Sequence, residues 1–258
     1  FDCSAAYYIH ILKYLCIMNL EKVFRDFCDS LQKRTCVTSE DTIRYYWFAA
    51  MLQNDADYDL NNYSLEYPYL LKKEIFSKDQ KGNIAKKELD FLYNNGEECY
   101  CIEIKFHRNP DPDSTYAHPD AAGSLFNDLI RLAVFQPGMA YERSNEKVVM
   151  LPKATRRFLL YVTDNEMNQY FTDNSRSQQC YIDGYRQPLR EFYKLKEGDI
   201  WTPSFKEPIP DTFKKSALFS MANNLNLSNI PKVQLVCCSD NLNVESNSIK
   251  KGSNDKRH

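Results

Sequence analysis

Residues 87–108 constrain this chain more than any other stretch. Two apolar-rich runs flank Asn95-Gly96. That dipeptide is a strong hairpin signal, because both residues tolerate positive φ. The first run carries Asp90 and the second carries Glu103-Ile104-Lys105. Ionisable residues seldom interrupt an apolar strand without a partner or a chemical task. With Asn95 and Gly96 as the two central turn residues, Asn94 opposes Glu97 and Asp90 faces Cys101. Glu103 is then the diagonal neighbour of Asp90 on the same side of the sheet. Diagonal positions lie about 7–8 Å apart, close enough for two carboxylates to converge on one ion. Alternation puts Cys101, Glu103 and Lys105 on one face and Ile102, Ile104 and Phe106 on the other, against a core. A four-residue loop preserves this parity, whereas a three-residue loop inverts it.

The elements around the hairpin follow from periodicity. Residues 21–31 have helical spacing, with Val23, Phe24, Phe27 and Leu31 on one side. A second helix spans residues 39–52, capped by Thr38 or Ser39. It is apolar nearly all round apart from Arg44, which predicts a buried helix. Residues 61–71 are tyrosine-rich and strand-like, and Pro68 marks an edge or an end. Residues 107–119, with three prolines and two aspartates, predict a loop. A helix follows over 121–135. The apolar run 158–162 predicts a central strand, and Thr163 or Asp164 caps a short helix to Phe171.

This order predicts an α/β protein, a three-layer sandwich around a central mixed sheet with an αβββαβ core. The domain reading is an N-terminal helical segment (1–37), a core (38–171), a loop-rich extension or lid (172–244) and a disordered tail (245–258). The extension includes a helix at 211–223 and a strand at 232–238. The tail is polar throughout.

Bulk properties narrow the classes. The 258 residues carry a net charge of −2, so no global basic footprint marks a nucleic-acid binder. Local patches such as Lys72-Lys73, Lys78 with Lys81, Lys86-Lys87 and Arg156-Arg157 read first as solvated faces. Nine cysteines without zinc spacing or a disulfide framework read as reduced thiols of a cytoplasmic protein. The apolar run 1–17 is too short to span a bilayer and lacks a basic start. Met18 opens a cleaner pattern and is a candidate natural start. Seven scattered glycines and the absence of Gly-x-Ser-x-Gly speak against nucleotide-binding folds and serine hydrolases.

Asp90, Glu103-Ile104-Lys105 and their flanking elements resemble the PD-(D/E)XK nuclease superfamily, the restriction-endonuclease-like fold. The resemblance covers residues 38–164; Leu89 stands where a proline often precedes the acid. It implies metal-dependent phosphodiester hydrolysis of DNA, of a restriction, defence or repair type, with Asp90, Glu103 and Lys105 as catalytic residues. Asp90 and Glu103, with Glu40 from the first core helix, would hold Mg²⁺ or Mn²⁺; hard oxygen donors suit these ions. Asp41 competes with Glu40 for that role, and either acid is also favoured there by the helix dipole alone. Arg44, one turn on, could pair with Glu40. Asp128 and Arg131 would orient Lys105 or Glu103, and His107 would lie beside the cleft. Glu66 is a further acid that could line it.

Two rivals stand beside an active nuclease, whose oligomeric state, a homodimer included, is left open. One is a nuclease-fold protein that binds nucleic acid or a protein without cutting. The other is an unrelated α/β enzyme in which Glu-x-Lys is a salt bridge and Asp90 and Glu103 point apart.

Overall fold

A computed structural model describes residues 18–34, 37, 39–56, 58–69, 87–108, 118–135, 155–163, 179–182, 185–188, 200–201 and 232–238. Helix α1 spans Leu20–Gln32 and α2 spans Glu40–Asn54. Each begins where a side chain takes an otherwise orphaned amide. Asn19 accepts from the Lys22 N–H at 3.0 Å, and Ser39 accepts from the Thr42 N–H at 3.3 Å. Val23, Phe27 and Leu31 recur every fourth residue and are fully buried. Helix α2 buries Ile43, Trp47, Ala50 and Met51. It is not apolar on all sides: Tyr45 is 62% exposed. Its tyrosines read as core, but a phenol can keep its hydroxyl end in water. Phe27 meets Trp47 edge-on with ring centroids 5.5 Å apart, which joins the two helices.

The main sheet has six strands in the order β1-β2-β3-β4-β8-β7. These are β1 Tyr63–Tyr69, β2 Lys87–Asn94, β3 Cys99–His107, β4 Thr155–Thr163, β7 Ile200–Trp201 and β8 Val233–Cys238. Strands β1, β2 and β3 are antiparallel, β3, β4 and β8 are parallel, and β7 returns antiparallel at the far edge. The fold is therefore mixed α/β around a central open sheet. Pro68 sits in the edge strand β1, where a missing N–H is tolerated. Strand β4 is buried from Arg157 to Thr163, as a central strand should be.

Helix α3, His118–Val134, starts three residues before the expected position, with Pro119 in its first turn. Proline loses nothing there, since that amide has no intrahelical acceptor. Helices α1 and α2 pack on the sheet face bearing Phe91, Tyr93, Tyr100, Ile102, Ile104, Phe158, Leu160 and Val162. Helix α3 packs against β3 and β4 on the other face, where Ser124 reaches His107.

The hairpin register differs from the expected one. Asn94 pairs with Cys99 and Leu92 with Cys101, so the loop holds four residues, Asn95 to Glu98. The cause is the Asn95 side chain. Its Oδ1 accepts from the N–H groups of Glu97 at 3.0 Å and Glu98 at 2.7 Å. Gly96 takes φ +88°, open only to glycine at little cost. The two-residue shift preserves parity, so Asp90 and Glu103 stay on one face, one step beyond the last pair, Phe91 with Ile102.

The stretch read as a loop-rich lid contains strand. Gln179–Ile182 (β5) and Tyr185–Pro188 (β6) form a separate hairpin, with β5 against α3, and β7 joins the main sheet. The readings for residues 1–17, the helices at 164–171 and 211–223 and the tail at 245–258 lie outside the described residues. No described helix is long and apolar enough to cross a membrane.

The turn makes a direct prediction. Asn95→Ala removes two side-chain-to-backbone bonds and should cost about 1–2 kcal/mol in urea unfolding. Amide exchange should accelerate first at Glu97 and Glu98, whereas uniform acceleration along β2 and β3 would contradict this account.

Candidate active site

The site begins with a split in the sheet. Strand β2 pairs with β1 from Lys87 onward, but with β3 only from Phe91 to Asn94. Strand β3 stays paired with β4 over its whole length. Past Ile102, the β3 edge facing β2 has lost its ladder partner. Buried backbone amides cannot be left bare. Two carboxylates take them: Asp90 Oδ2 accepts from the Ile104 N–H at 2.7 Å, and Glu40 Oε2 from the Phe106 N–H at 3.2 Å. Side-chain acceptors thus replace two missing carbonyls and carry charge into the gap, where such bonds are roughly twice as strong as neutral ones.

Glu103 lies in this gap on the same face as Asp90. It is 3% exposed, and its Oε1 is buried with no hydrogen-bond partner. Burial first, and the nearby Asp90 charge second, push its carboxyl well above the ordinary range, against the opposing pull of Arg131 and Lys105. The Asp90 side chain is close enough to Glu103 to raise its pKa. They do not point apart, as the salt-bridge rival required.

Lys105, next on that face, lies 2.8 Å from Asp128 Oδ2 and 3.7 Å from Glu40 Oε2. Asp128, 1% exposed on α3, also pairs with Arg131 one turn on. Helix α3 therefore fixes the lysine by ion pairing. His107 completes the face and is buried between Tyr161 Oη at 3.3 Å and Ser124 Oγ at 3.1 Å. Burial and the nearby Lys105 charge lower its pKa to about 3, so the ring is neutral.

Arg44 enters from α2, though not as expected. It does not pair with Glu40, which is held by Lys105 and the Phe106 amide. It donates instead to Asp41 at 2.9 Å, Glu66 at 3.1 Å and Asp90 Oδ1 at 2.9 Å. Burial works against its charge, but Asp90 foremost, then Asp41 and Glu66, raise its pKa above the ordinary value. Glu66 has φ +51°, a left-handed conformation that a glutamate rarely adopts. The β1–β2 ladder pairs Leu65 with Phe91 and Tyr67 with Leu89, skipping Glu66 and Asp90. Strain on the neighbouring strand coincides with the residue that leaves the ladder.

The residues singled out in the sequence surround this split. Asp90, Glu103, Lys105, Glu40 and Arg44 meet in it. Asp128 and Arg131 back it from α3, and His107 closes its far end. Glu66 joins through Arg44. The Ser124 and Tyr161 contacts escaped notice because each residue sits in an apolar run and reads as core. Among the described residues, no group of three or more Asp, Glu, His or Cys side chains is arranged to hold a metal ion. The donors that fit one are the Asp90 and Glu103 oxygens. Mg²⁺ commonly takes only one or two carboxylates, with water and substrate oxygens filling the rest. No protein-family model, no curated protein and no solved structure matches the chain.

The neutral histidine sets an acid dependence. An unfolded chain takes up a proton on imidazole as pH falls through 6.5, while the folded chain refuses it down to about 3. Stability from this residue is thus present above pH 6.5 and lost between there and 3. His107→Gln should cost about 1 kcal/mol at pH 7. The gap to the parent should narrow as urea unfolding is repeated toward pH 5. Parallel pH profiles would contradict the assignment.

Proposed function

We propose that this chain is a Mg²⁺- or Mn²⁺-dependent nuclease of the PD-(D/E)XK type, hydrolysing DNA phosphodiester bonds in restriction, defence or repair. The observation that carries the reading is the carboxylate pair at the split: Asp90 against Glu103, with a buried Glu103 oxygen unpartnered and Lys105 beside them. Charge supports it. Among the described residues, Glu40, Asp41, Glu66, Asp90, Glu103 and Asp128 face three cations, Arg44, Lys105 and Arg131. A divalent cation offsets that negative excess. The site would sit in a restriction-endonuclease-like core formed by α2, β1, β2, β3, α3 and β4. Among the described residues the cysteines form no disulfide, which supports action in the cytoplasm.

Asp90 and Glu103 would hold the ion, with the Ile104 carbonyl as a further donor. A bound divalent ion supplies Lewis acidity and an acidified water. Glu103 must release its proton to serve as a ligand, so ion affinity should rise with pH. Lys105, steadied by Asp128, would donate to the attacking water or to the charge developing on the phosphate. Arg44 would leave Asp90 once the ion takes over its charge compensation. Glu40 would orient Lys105 while keeping the Phe106 amide satisfied.

A second reading has its own support. With Arg44 on Asp90, Lys105 on Asp128 and Glu103 favouring its protonated form, the cluster offsets much of its own charge. A chain using it this way would bind nucleic acid or a protein without cutting.

One substitution separates the readings. Glu103→Gln removes a buried acid but keeps its shape, so in EDTA at pH 8 it should stabilise the fold by roughly 1–3 kcal/mol. Mn²⁺ should raise the melting temperature of the parent and not of the variant. The parent should cleave plasmid DNA with Mg²⁺ or Mn²⁺, EDTA should abolish this, and Glu103→Gln should be inactive. A Mn²⁺ shift without cleavage favours the binding reading. Undiminished cleavage by the variant would trace the activity to a contaminant.

The first turn of α2 offers a second test. Glu40→Gln should reduce cleavage far more than stability, since the amide oxygen can still accept from the Phe106 N–H while Lys105 loses the Glu40 charge and keeps only Asp128. Asp41→Asn removes only one of three Arg44 partners, at about 0–1 kcal/mol, and should leave most activity. Equal activity losses would contradict the separate role given to Glu40.

A further inference from the structure

At the opposite end of the sheet, the first residues of β4 and β8 line an open cavity of about 240 Å³. Thr155, Arg156, Arg157, Phe158, Lys232 and Gln234 line it, and no carboxylate does so among the described residues. Arg156-Arg157 reads from sequence as a solvated pair, yet Arg157 is only 5% exposed. Its guanidinium donates twice to the Phe135 carbonyl, at 3.2 and 2.7 Å, closing the end of α3. Arg156 is held over the Phe158 ring at 5.0 Å and the Tyr100 ring at 5.8 Å. Among the described residues none of the three cations makes an ion pair, although the chain as a whole is net acidic.

A buried charge without a counter-ion is costly, and protein interiors seldom keep one unless something else supplies the opposite charge. Packing and bonding already fix both guanidinium groups, so little ordering is left to oppose a ligand. Planar guanidinium donors beside an amide side chain match a tetrahedral oxyanion. We propose that this cavity binds a phosphate group, contributed by a nucleic-acid strand or by a small phosphorylated molecule. Arg156 and Lys232 make the charged contacts, Arg157 supplies the buried field, and Gln234 offers a neutral donor. Arg156 pairs with Tyr100, and Glu103 pairs with Leu159 three residues further along β4. That spacing sets Arg156 about 10 Å along the strand from the carboxylate split.

The test uses the full chain in EDTA. Calorimetric titration with inorganic phosphate should show one site, and Arg156→Gln combined with Lys232→Gln should weaken it about tenfold or more. Both residues are solvent-facing, so an unchanged melting temperature will certify the fold. Asp90→Asn should bind phosphate like the parent. A short fluorescein-labelled DNA duplex and a nucleoside monophosphate then identify the source. Loss of duplex affinity in the double variant assigns the site to nucleic acid. Unchanged duplex affinity with lost monophosphate binding assigns it to a small molecule. Absence of phosphate binding, equal binding by parent and double variant, or a comparable loss in Asp90→Asn would overturn the proposal.

Discussion

The carboxylate of Asp90 accepts from the Ile104 N–H where a continuing β2–β3 ladder would supply a carbonyl. Everything at the site depends on that exchange. A β-ladder ends at little cost only when the freed amides find other acceptors. Here the acceptors are acidic side chains, so closing the sheet and charging the cleft are the same act. Glu40 repeats it one pleat further along, from a helix on the other face. The strained Glu66 stands at the same level of β1 and marks where the edge of the sheet gives way.

The charged groups are arranged in tiers around this break. Arg44 binds together acids from α2, β1 and β2, while Asp128 ties Lys105 to α3. Glu103 lies between these two systems and has the least support from either. A carboxyl buried against another carboxyl, with one oxygen unpartnered, is destabilising when ionised. Its contribution favours the folded state at low pH and is lost as pH rises through its raised folded value. Held for packing alone, an apolar residue would serve better, and the proposed ion-binding role would account for this cost.

Much of this was legible in the sequence where the signal was local. The Asn95-Gly96 turn, the alternation in β3 and the cap at Ser39 each follow from adjacent residues, and the structure bears them out. The exact register did not follow, because it depends on Asn95 holding two amides by its side chain. Parity survived only because the loop grew by two. The partner of Arg44 was misjudged because sequence spacing proposes Glu40, while the nearby Phe106 amide and Lys105 claim that acid first. Arg157 reads as exposed because half of a dipeptide's charge can be buried without changing the local pattern. The strands between 179 and 201 were hidden by their brevity among polar residues.

The central claim is that Asp90 and Glu103 form a divalent-ion site at the split between β2 and β3. Anomalous diffraction from crystals soaked in Mn²⁺ tests it without relying on turnover. The account predicts a manganese peak within bonding distance of both carboxylates, with the Arg44 guanidinium withdrawn from Asp90. Data with Mn²⁺ bound elsewhere, or with no peak and Arg44 still paired to Asp90, would contradict it.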